Sequence, residues 1–182
     1  MKKKSLVLLV VLVLVVVCVI GGTLAWLTAK TDAVVNTFTT SDINITLTET
    51  EAMYKMIPGF VIEKDPRATV VKGSEECYLF IKLDKSQNFD SYLTYEVAPG
   101  WTVLPETDGV YYRKVMNDDM GTAYSILKDD TVAVKSEITK DMMEAAETNK
   151  PALTITAYAS QLYKNNTEEF TPAEAWTNVQ AY

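Results

Sequence analysis

Apolar and polar side chains alternate with a period of two through most of the chain. Ile43, Ile45 and Leu47 alternate with Asn44, Thr46 and Thr48, the pattern of a half-buried strand. Ala68-Thr69-Val70-Val71 predicts a short strand closed by Lys72-Gly73. The run from Cys77 to Leu83 is the strongest: Cys77, Leu79, Ile81 and Leu83 share one face, and Tyr78, Phe80 and Lys82 point the opposite way. Tyr92–Val97 follows and ends at the turn Ala98-Pro99-Gly100. Trp101–Leu104 and Val110–Met116 flank Asp108-Gly109, a hairpin signal. Tyr124–Leu127 and Thr131–Val134 are joined through Asp129-Asp130, and Leu153–Tyr158 is the last strong strand.

Two stretches change to helical character. Thr139–Thr148 is rich in Met, Glu and Ala and stops at Asn149-Lys150-Pro151. The other begins with Thr171 as N-cap, Pro172 in the first helical position and Glu174 as capping-box partner, with Ala175, Trp176 and Val179 as its apolar face. Short strands at fairly even spacing with one or two short helices predict a mainly β chain, a jelly-roll-like β-sandwich that follows an N-terminal signal helix. The expected core is Cys77, Leu79, Ile81, Leu83 and Trp176.

The N-terminus departs from this pattern. Lys2-Lys3-Lys4 precedes Leu6–Ile20, in which Cys18 is the only interruption to the apolar run, and Gly21-Gly22 then leads to Thr23-Leu24-Ala25. A basic start, an apolar stretch and small side chains at Thr23 and Ala25 predict a secretory signal peptide cut between Ala25 and Trp26. The alternative is a retained anchor, since Leu6–Leu27 is long and apolar enough to span a bilayer. The expected organisation is a signal peptide over residues 1–25, an N-terminal arm or first strand over 26–41, and one β-sandwich domain over 42–182. The arm carries Val34, Val35 and Phe38 among Thr and Asn, with enough β-propensity to add to a sheet edge.

Charge and composition narrow the function. Cleavage removes three lysines, so 17 basic side chains become 14 against 24 acidic ones, a net charge of −10. Such a surface disfavours nucleic acid and anionic lipid, and membrane contact is expected only through the uncleaved signal segment. The chain holds no histidine, which excludes a Ser-His-Asp or Cys-His pair and His-ligated zinc. Cys77 is the only cysteine of the mature chain and reads as a buried core thiol. The seven glycines form no phosphate-cradling motif. Neither metal, cofactor nor enzymatic activity is expected; a secreted hydrolase built on two carboxylates is the remote alternative.

Several blocks carry a family resemblance. Gly21–Trp26, Thr31–Thr39 and Ile43–Glu49 together resemble the TasA/camelysin (CalY) family. So do Ile57-Pro58-Gly59, Glu63–Pro66, Gly73–Tyr78, Ile155–Ala159 and Ala173–Trp176. Residues 84–150 have no such match. The resemblance implies a Gram-positive secreted protein of the extracellular matrix or cell surface, processed by a SipW-type signal peptidase. It further implies a jelly-roll domain and a biofilm-matrix fibre subunit whose freed arm completes a neighbour's sheet. The metalloprotease label attached to some camelysins does not carry over, because the ligands for zinc are missing here. Self-association or binding to other matrix proteins is the leading expectation, with a monomeric surface-associated binding or accessory module as the alternative.

Overall fold

The computed structural model describes residues 3–13, 42–51 and 53–181. The chain divides into two compact units, Met1–Thr39 and Thr40–Tyr182. In the first, residues 3–13 form helix α1, whose leucines and valines are exposed. Among the described residues no helix is long and apolar enough to cross a membrane.

The second unit is mainly β, with four antiparallel sheets. Its frame is β4, Cys77–Lys85, nine residues that extend the Cys77–Leu83 run by exposed Asp84 and Lys85. On one side β4 pairs with β10, Leu153–Gln161, through a continuous register from Leu153 opposite Lys85 to Gln161 opposite Cys77. On the other it pairs with β7, Val110–Val115, and β7 pairs in turn with β6, Thr102–Val103. The β6–β7 connection is the hairpin signalled by Asp108-Gly109. Gly109 has φ +69°, and a Cβ there would lie 2.5 Å from the Leu83 carbonyl oxygen, so only glycine fits.

Two small sheets cover one face of this frame. One has the order β1 (Ile45–Thr48), β3 (Arg67–Val70), β8 (Tyr124–Ser125). The other runs β2 (Val61–Glu63), β9 (Thr131–Val134), β5 (Leu93–Thr94). Between them and the frame lies the main core, where Cys77, Leu79, Ile81 and Leu83 meet Ala68, Val70, Val132 and Val134. Helix α3, Lys140–Thr148, capped by Thr139 through the Met142 N–H, adds Ala146 and half-buried Met142 and Met143.

The opposite face of β4 is buried as well. Tyr78 and Phe80 are closed off by helix α4, Pro172–Gln180, which sets Ala175 and Trp176 on them. Trp176 lies 5.2 Å from the Phe80 ring and 5.3 Å from the Tyr158 ring, centroid to centroid. The capping box is formed: Glu174 N–H donates to Thr171 Oγ1 at 3.3 Å and Thr171 N–H to Glu174 Oε2 at 2.8 Å. Trp176 therefore belongs to a second core, separate from the cluster of Cys77, Leu79, Ile81 and Leu83.

Several expected strands are shorter than their patterns. Tyr92 belongs to a single helical turn, α2, Phe89–Tyr92; only Leu93–Thr94 joins a sheet, and Val97 makes an isolated bridge to Leu127. Tyr92 and Leu93 are both buried, which period two forbids, because the Tyr92 hydroxyl reaches the Met142 carbonyl at 2.9 Å. The hairpin of β11, Tyr163–Asn165, and β12, Glu168–Glu169, was not signalled by alternation. Asn165 Oδ1 makes it by accepting from the Thr167 and Glu168 N–H groups at 3.0 and 3.1 Å.

Candidate functional site

β10 combines three properties that make a sheet edge available. It spans nine residues, long for an edge. Among the described residues it pairs with β4 alone, so its outer backbone N–H and C=O groups have no strand partner there. Its sequence, Leu-Thr-Ile-Thr-Ala-Tyr-Ala-Ser-Gln, contains no charged side chain and no proline. Lysines, prolines and very short edges are what ordinarily prevent a strand from pairing with another chain. The other outermost strands, β1, β2, β5, β6, β8, β11 and β12, are two to four residues long. Along β10, Leu153, Ile155, Ala157 and Ala159 lean on the main core and Tyr158 on the second, so both faces are held while the outer edge has no strand partner among the described residues.

An apolar cleft of about 430 Å³ opens beside Leu153, at the start of β10. Met56, Ile62, Phe89, Val132 and Met143 wall it, and Lys64, Glu147 and Lys150 stand at its rim. One wall is fixed by a polar cluster: Lys64 pairs with Glu49, and the Tyr54 hydroxyl also donates to Glu49. Burial and the charge of Glu49 push the Tyr54 phenol far above its ordinary value, so it stays a neutral donor.

A second, polar hollow of about 600 Å³ is lined by Glu51, Glu63, Asp65, Arg67, Asp129 and Asp130. Its carboxylates are the nearest approach to a paired-acid site, yet two of them are engaged. Asp65 accepts from Thr50 N–H at 3.0 Å and Thr50 Oγ1 at 2.7 Å, which lowers its pKa. Asp130 accepts from Arg67 at 2.6 Å and from Ser125. Those bonds hold Asp130 at φ +53°, a left-handed conformation unusual for a residue with a Cβ. Among the described residues no group of three or more His, Cys, Asp or Glu is placed to hold a metal ion.

The remaining sequence-predicted residues divide into two sets. Cys77, Leu79, Ile81 and Leu83 are together on one face of β4 and buried, and Trp176 is buried on the other. Burial pushes the Cys77 thiol up to about 11, leaving it protonated and unreactive at neutral pH. The cleavage residues Thr23, Ala25 and Trp26 and the arm residues Val34, Val35 and Phe38 lie outside the described residues. Sequence reading identified β10 as a strand but not as an edge. The missed signal was its uncharged, proline-free stretch, since such a strand is safe only when paired or meant to be paired. Comparison of the chain with protein-family models, curated proteins and solved structures finds no match.

Proposed function

We propose that this chain is a secreted cell-surface or biofilm-matrix structural protein, a jelly-roll-like subunit that assembles by donor-strand addition. The observation that carries this reading is the nine-residue, uncharged edge of β10. An added strand gains main-chain hydrogen bonds along that edge and side-chain contacts on alternate positions. The donor is the arm over residues 26–41, freed when a SipW-type signal peptidase cuts between Ala25 and Trp26, with Val34, Val35 and Phe38 as its apolar contacts. Strict alternation puts Phe38 on the face of Val34 and leaves Val35 on the other, unless a bulge intervenes. The resemblance to the TasA/camelysin family supports the same reading.

The test compares three secreted forms by electron microscopy and size-exclusion chromatography: the chain from Trp26, the chain from Asp42, and the long chain carrying Phe38→Asp. Fibres or oligomers from the unmodified long form alone are expected. Equal assembly by the form starting at Asp42 contradicts strand donation. A long form that stays monomeric at high concentration favours an accessory binding module instead.

A further inference from the structure

The segment from Met53 to Val61 carries a second contact surface, distinct from the strand edge of β10 although its cleft reaches Leu153 at the start of that strand. Its side chains alternate: Tyr54 and Met56 turn inward, whereas Met53, Lys55 and Ile57 turn out. A β-turn then reverses the chain, with the Phe60 N–H donating to the Ile57 carbonyl at 3.0 Å across Pro58-Gly59. Gly59 has φ +79°, the value that a type II turn requires at its third position, and proline suits the second. The turn is not a loose tip. Gly59 N–H donates to the Val134 carbonyl at 3.2 Å, and Val134 N–H donates to the Phe60 carbonyl at 2.8 Å, tying it to β9.

The turn and its flanks hold four large apolar side chains in water. Met53 is 90% exposed, Phe60 62%, Val61 62% and Ile57 51%. Single exposed apolar residues need no explanation, but a cluster on one short segment marks an interaction site. Because the backbone is already fixed, little further ordering opposes binding. The inward side of the same segment forms a wall of the 430 Å³ cleft through Met56, continued by Ile62 in β2. An apolar projection and an apolar hollow thus lie on adjacent sides of one ribbon. Methionines at Met56 and Met143 let that hollow adapt to an incoming side chain.

The geometry points to a second copy of this chain as the occupant: about a two-fold axis beside the segment, Phe60 of each copy enters the other's cleft. An isologous contact requires a self-complementary patch, and adjacent projection and hollow supply one. Charge favours the same partner. The chain has a net charge of −7, so copies repel over most of their surface. Around this patch, however, both signs are present: Lys55 and Lys150 stand with Glu51, Glu63 and Glu147, and none of the five takes part in an ion pair among the described residues. Each has an opposite charge to meet across the axis.

The test uses the full chain as recovered from the expressing bacterium, both unmodified and with Phe38→Asp, so that strand donation and this contact are read separately. Sedimentation velocity over a concentration series should show a reversible dimer in the Phe38→Asp background. Adding Phe60→Asp should weaken it by roughly tenfold or more, as expected for an aromatic anchor in a pocket. Phe60 is exposed, so that change should leave the thermal midpoint unmoved. A photoreactive benzoylphenylalanine at position 60 should crosslink to a second copy at peptides containing Met56, Met143 or Leu153. A monomer at all concentrations, an unchanged dimer in Phe60→Asp, or crosslinks away from the cleft would overturn the inference.

Discussion

Side chains near the middle of β4 have no route to water from either face. Ile81 is fully buried among the apolar groups of β3 and β9, and Phe80 is fully buried beneath Trp176. Ile81→Ala should therefore destabilise the domain by about 2–5 kcal/mol in urea denaturation, the range for removing a buried aliphatic side chain. A neutral Ile81→Ala would place the register one residue out. Cys77 sits two turns of the pleat away, with its thiol pushed up to about 11 by burial. It should resist thiol reagents in native buffer at pH 8 and react fully in denaturant. The inward set on β4 was legible from period two alone. The burial of Tyr78 and Phe80 was not, because alternation assigns faces without saying what covers each one.

Among the elements, α4 is the best specified locally. Thr171 and Glu174 satisfy each other's backbone N–H groups, and Lys164 adds an ion pair to Glu174 at 2.9 Å. The Thr171 backbone N–H, then Lys164 and the Thr171 hydroxyl, bring the Glu174 pKa down to about 2. A carboxylate depressed in the folded state stabilises above its unfolded value near 4.5 and loses that contribution as pH falls toward 2. The thermal midpoint should therefore fall between pH 4.5 and 2 more steeply in the unmodified protein than in Glu174→Gln; parallel curves would contradict the cap. Thr171→Ala should lower stability by about 1 kcal/mol, and Trp176→Ala by about 3–5 kcal/mol through the aromatic cluster with Phe80 and Tyr158. A native-state Trp176 emission typical of water would refute that packing. Helices α3 and α4 could be read because caps are local chemistry. By contrast α2, β2 and the β11–β12 hairpin were missed. Each is held by distant groups or by a single Asn side chain, such as the Met142 carbonyl on Tyr92 and Asn165 at its turn.

At the scale of the molecule, a mainly β unit that covers both faces of β4 leaves one long strand, β10, with an outer edge that pairs with nothing among the described residues. The sequence announced the strand, but edge or centre is a property of topology, and pairing order is not written in a single strand's alternation. The cleft and the turn at Pro58-Gly59 were equally hidden, because their side chains come together only through β9 and α3. The proposed strand donation would bind the arm to β10, which makes one quantity decisive: amide hydrogen exchange along Leu153–Gln161 in the free subunit and in the assembled form. If the arm of one copy adds to this edge, the outward amides of β10 should slow by about tenfold or more on assembly, while those of β4, already paired on both sides, should change little. Assemblies that form with the β10 amides exchanging as fast as in the monomer would show that the subunits are joined elsewhere.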